Sequence, residues 1–136
     1  MNILNGKIIS IEKVNEFLSL NILVGDKNFF AVVLYSDTLS WMQTGRSANL
    51  IFKEMEVMIA TVSSKISARN AFVSKIKEVE VGKLFANVIF DFDGKEISSV
   101  IKKKSCEELG CNEGGEFIWF VKSNEVTIQM GENSGK

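Results

Sequence analysis

Two stretches of the chain end alike. Lys53-Glu54-Met55-Glu56-Val57-Met58-Ile59 and Lys122-Ser123-Asn124-Glu125-Val126-Thr127-Ile128 carry Lys, Glu, Val and Ile at the same internal spacing, 69 residues apart in a chain of 136. One fixed offset of that size means two copies of one unit, provided that other landmarks obey it. Gly25 and Gly94, and Gly45 and Gly114, are also 69 apart, while Lys7-Ile8 and Lys75-Ile76 are separated by 68. The copies therefore span 1–62 and 66–130 and differ by one residue of loop.

Each copy is too short to bury much surface alone, so packing on a neighbour or on a second chain is expected. A hydrophobic content of 46% beside 24% charged residues supplies a core and excludes a disordered chain. No segment reaches the ~18 to 20 consecutive apolar residues of a membrane span, and the start has no signal-peptide pattern. A cytoplasmic location is the expectation.

Several chemistries are excluded by what the chain lacks. It has no His, so Ser/His and Cys/His nucleophile pairs and the commonest general base near neutral pH are absent. No enzyme activity is expected. Cys106 and Cys111 are the only cysteines, too few for a disulfide scaffold and without His to complete a metal site. A net charge of −1 with scattered Lys and Arg gives no basic stripe, so nothing points to nucleic acid as a partner.

Alternating apolar and polar residues predict five short strands per copy. These are 6–14, 16–23, 28–34, 48–52 and 57–62, then 75–81, 84–92, 96–101, 116–121 and 126–129. Hairpin turns fall at Gly25 and Gly94, where glycine supplies positive φ. A short helical signal runs from Ser105 to Gly110, read as a Ser N-cap, acidic residues in the first turn and a Gly stop. The fold class is all-β: two tandem OB-like small β-barrels, each with one short helical turn. Phe29, Phe30, Phe85, Phe90, Phe92, Phe117, Trp119 and Phe120 are read as core or interface residues. The polar tail, 131–136, is expected to be flexible.

Small barrels host many functions, so particular residues must decide. Ser67-Ala68-Arg69-Asn70 gathers a hydroxyl, a guanidinium fork, an amide and backbone N–H groups ahead of the first strand of the second copy, a donor cluster suited to an oxyanion. Together with Ser105 in the run Ser-Cys-Glu-Glu-Leu-Gly, and with Lys122, Ser123, Glu125 and Val126, it resembles the Mop domain of the molybdate-binding TOBE superfamily. The likeness runs through the second copy from Ser67 to Ile128. The first copy resembles the domain more weakly, through its hairpin spacing, Gly45 and the stretch from Lys53 to Ala60.

The whole chain thus resembles a tandem Mop protein of the molbindin kind. That resemblance implies OB-like barrels, binding of molybdate or tungstate for storage or homeostasis, no organic cofactor, and assembly into a homo-oligomer, most often a trimer, with oxyanions at interfaces between Mop domains. By position, the clamp falls on Ser67, Ala68, Arg69 and Asn70 of one domain, and the facing wall on Ser105, Lys122 and Ser123 of another. The family often has Thr where this chain has Lys102, which adds a charged donor if it faces the ligand. The same superfamily includes sensor domains of regulators and transporter ATPases; a detached molybdate sensor acting through a partner protein is therefore the alternative. An enzyme or carrier acting on the pterin form of the cofactor is a third reading, with no large pocket or catalytic set visible to support it.

The first copy departs from the pattern. Met1 and Asn2 align with Arg69 and Asn70, so the first copy has no equivalent of Ser67 or Arg69, and Val33 or Leu34 takes the place of the family's Thr. Ser36 and Lys53 remain as a weaker wall. Fewer oxyanion sites are expected than two complete Mop domains would supply.

Overall fold

The computed structural model describes residues 1–37 and 39–131. Ten strands follow in chain order: β1 (Asn2–Val14), β2 (Phe17–Val24), β3 (Lys27–Leu34), β4 (Ser47–Phe52), β5 (Met58–Ala60), β6 (Asn70–Val81), β7 (Phe85–Phe92), β8 (Lys95–Lys102), β9 (Glu116–Val121) and β10 (Thr127–Met130). They form two curled five-stranded sheets of OB-like type, ordered β10-β4-β1-β2-β3 and β5-β9-β6-β7-β8.

The two copies bend their first strand by the same device. The register slips between Ile8 and Ser10 in β1 and between Ile76 and Glu78 in β6. Such a bulge bends the strand and increases its twist. It lets the first half of β6 pair with β9 and its second half with β7. At each bulge a glycine in the left-handed region closes the loop: Gly45 N–H donates to Ile8 O at 2.7 Å and Gly114 N–H to Ile76 O at 2.8 Å. Their φ angles, 94° and 84°, are why glycine recurs there at the repeat spacing.

Both long strands begin earlier than alternation alone indicates, at Asn2 and Asn70. Both asparagines are buried, so each strand starts inward-facing on a polar residue that hydropathy does not read as core. The helix also differs from expectation. It is α1 (Lys103–Leu109), with Lys102 at the N-cap and no acidic residue in its first turn. Ser105 is thus inside the helix, because Lys103 N–H donates to Leu84 O and starts the helix directly from β8. Gly110 ends it as read, at φ 71° and ψ 35°. In the first copy Trp41 holds the place of Gly110, a side chain that disfavours a left-handed cap, and a 3-10 turn at Tyr35–Asp37 stands instead of the helix.

The compact units in space are not the two copies in sequence. One unit combines Met1–Asn2 with Lys53–Val121; the other combines Ile3–Phe52 with the chain from Lys122 onward. Each sheet therefore contains four strands of one copy and the last strand of the other. The 3-10 turn Glu54–Glu56 leads into Val57, 1% exposed, whose carbonyl accepts the Ser99 hydroxyl of β8 at 2.6 Å. β5 then pairs with β9, Met58 opposite Phe120. This segment spans from one edge strand of the sheet to the other and closes it. In the second unit the turn Ser123–Glu125 lies against β3 and β10 pairs with β4. The twin endings at Lys53 and Lys122 are these closing segments.

The cores are aromatic and aliphatic. Phe72, Phe92 and Trp119 form a cluster with ring centroids 5.1 to 5.2 Å apart, and the Trp119 indole N–H donates to Ser74 Oγ at 3.0 Å. Phe29, Phe90, Phe92 and Trp119 are buried as expected, whereas Phe85 is 38% exposed. The tail expectation falls on 132–136, outside the described residues, apart from Gly131, which is buried and donates to Ser47 O.

Candidate oxyanion site

The clamp candidates lie where an irregular segment becomes β6. Ser67 and Arg69 are exposed and Ala68 half-buried, whereas Asn70 is fully buried. Asn70 stands opposite Val121, the last residue of β9, after which the chain continues into Lys122. Strand pairing thus sets the start of β6 beside the end of β9.

The wall candidates on α1 are elsewhere on the same sheet. Lys102 ends β8 opposite Phe85, and Val81, at the far end of β6, stands opposite Ala86. Lys102 and Ser105, both exposed, therefore lie at the opposite end of the strands from Ser67–Asn70. One unit does not bring clamp and α1 wall together.

Lys122 and Lys53 occupy the same local structure. Each precedes a 3-10 turn with extended backbone, at φ −69° and −78°, and neither side chain caps it. Each backbone carbonyl instead accepts the N–H three residues on, from Glu125 and Glu56, at 3.0 Å. Both ammonium-bearing side chains are exposed, and Ser123 is half-buried. Ser36 is exposed on the Tyr35–Asp37 turn.

The asparagine that opens the first copy is fastened to β8. Asn2 donates to Ser98 O at 2.9 Å and accepts from Ser98 N–H at 2.8 Å. Its amide acts as an extra backbone unit on β8. Beside it the α-amino group of Met1 donates to Glu54 Oε2 at 2.8 Å, which holds the Glu54 carboxyl below its ordinary range. Among the described residues no group of three or more His, Cys, Asp or Glu is arranged to hold a metal ion.

The chain is 39% identical over 64 residues to molybdenum-pterin-binding protein 1 of Clostridium pasteurianum and 41% identical to molybdenum-pterin-binding protein 2 of the same organism. Each alignment covers 94% of the relative and 46% of this chain. This chain belongs to the molybdenum-pterin-binding, or Mop, family. A relative of one-repeat length matching slightly under half of the chain is what a tandem Mop protein should give. The fold also matches ModG, described as a cytoplasmic molybdate-binding protein and solved with molybdate bound, at a TM-score of 0.90 and 25% identity over 96% of both chains. No protein-family profile matches the chain. The relatives are named as binding proteins rather than enzymes.

Within this Mop protein, one residue escaped the sequence reading. Glu54 holds the place of Ser123 in the repeat, and the difference stands in the twin endings themselves, Lys-Glu against Lys-Ser. The Met1 contact is what gives this carboxylate a partner.

Proposed function

We propose that this Mop protein binds molybdate, for storage or homeostasis in the cytoplasm, without catalysing a reaction. The observation that carries this reading is the likeness to molybdate-bound ModG over nearly the whole of both chains. A tetrahedral dianion needs convergent donors and positive charge in place of its hydration shell. Ser67 and Arg69, exposed at the entrance to β6, have that chemistry, with Ala68 and Asn70 fixing the backbone between loop and strand. Lys122 and Ser123, and Lys102 and Ser105, supply walls from other Mop domains of a homotrimer. Tungstate, nearly alike in size and charge, is accepted as well.

Molybdate titration by calorimetry, with molybdenum analysis and solution mass of the purified protein, tests the reading. Trimer mass with bound molybdenum is expected, and Arg69→Ala should weaken binding roughly 10- to 100-fold, the worth of one or two charge-assisted hydrogen bonds. Unaltered affinity in Arg69→Ala rejects the clamp. Ultraviolet absorbance without a pterin band is expected; a stoichiometric band would replace molybdate with the pterin form as the ligand.

A further inference from the structure

The two repeats carry corresponding cation and wall positions, filled differently. Arg69 aligns with Met1, and Ser123 aligns with Glu54. In the first repeat these two places are joined: the Met1 amino group meets Glu54 Oε2 at 2.8 Å, beside the Asn2 amide that fastens this segment to Ser98. Lys53, the counterpart of Lys122, is next in the chain. A lysine and an asparagine are thus retained and an amino group lies at the place of the Arg69 guanidinium, yet a carboxylate has replaced the neutral serine.

We propose that Glu54 is a built-in anion that closes the first repeat's half-site to oxyanions. Its carboxylate oxygens satisfy the nearby cationic donor, as an oxygen of a bound dianion otherwise would. By pairing with that cation the carboxylate also removes the positive charge that would attract an incoming anion, and an acceptor-only group cannot donate to the oxygens of molybdate. A glutamate is ionised at neutral pH from its ordinary value of 4.5, and the bond from the amino group lowers it further. Glu54 therefore determines which half of the chain binds, a consequence that rests on the molybdate reading above.

The test counts molybdate bound per chain by calorimetry and by molybdenum analysis after dialysis, with circular dichroism confirming the fold. Glu54→Ser, which copies the second repeat, should raise the number bound per chain, and the added molybdate should persist when Arg69→Ala is introduced as well. Glu54→Asp, which keeps the charge, should add none. Unchanged stoichiometry in a folded Glu54→Ser protein, or a gain in Glu54→Asp, overturns the proposal. Failure of the unsubstituted protein to bind molybdate at all would instead reject the functional reading on which the proposal rests.

Discussion

Ser74 and Trp119 stand in one sheet where Gly6 and Leu50 stand in the other. In the first pair the indole N–H has a buried hydroxyl to bond, and the ring joins Phe72 and Phe92. In the second, a Cβ at Gly6 would lie 2.7 Å from both Ile22 Cγ2 and Leu23 O, so no side chain fits. One sheet fills its centre with a large ring and a polar tether, the other by bringing backbone close to aliphatic neighbours. The backbone pattern, with its bulge and its left-handed glycine, is common to both. A shared scaffold therefore constrains hydrogen bonding more tightly than it constrains which residues fill the core.

That comparison can be broken most severely at the aromatic cluster. Trp119→Ala should cost about 3–5 kcal/mol in denaturant unfolding, more than Leu50→Ala in its counterpart position; equal losses would mean that the ring and its tether contribute nothing beyond their place. Next in size, Gly6→Ala should lose about 1–3 kcal/mol through overpacking. Ser74→Gly, which copies the first sheet into the second, should lose a similar amount by leaving the Trp119 N–H unpaired. Neutral results at both would show the two solutions to be interchangeable.

The smallest expected effect separates Cys111 from its counterpart Met42, both 9% exposed. Burial foremost, together with Cys106, pushes the Cys111 thiol from its ordinary 9.0 up to about 11. A raised thiol pKa means that the unfolded chain gives up its proton first as pH rises. The contribution to stability is therefore complete below pH 9.0 and is lost as pH climbs through about 11. Melting temperature measured across that range should fall less steeply in Cys111→Ala than in the unsubstituted protein; identical slopes would remove Cys111 as the titrating group.

Much of the fold was legible because strands and turns announce themselves locally. Alternation located the strands, and Gly25, Gly94 and Gly110 marked chain reversals that need positive φ. The helix start was misread because Ser105 has the chemistry of a cap, whereas the actual beginning depends on Leu84 O, nineteen positions before Lys103 in the chain. Asn2 and Asn70 were not recognised as buried strand residues, since only partners such as Ser98 make an inward-facing amide acceptable. Among the site residues, the chemistry of Ser67 and Arg69 could be named from sequence, but their exposure against the burial of Asn70 could not.

The 69-residue echo determined by itself that the chain holds two copies of one β unit, since a fixed offset obeyed by turn glycines has no other economical cause. It did not determine which copy's last strand completes which sheet. Both endings have the same length and pattern, so either sheet offers an edge that either ending can pair with, and local sequence is blind to the choice. Tertiary structure decided it, placing β5 on β9 and β10 on β4. The physical reason is that edge-strand hydrogen bonds and buried residues such as Val57 and Val126 are satisfied only by segments far away in the chain.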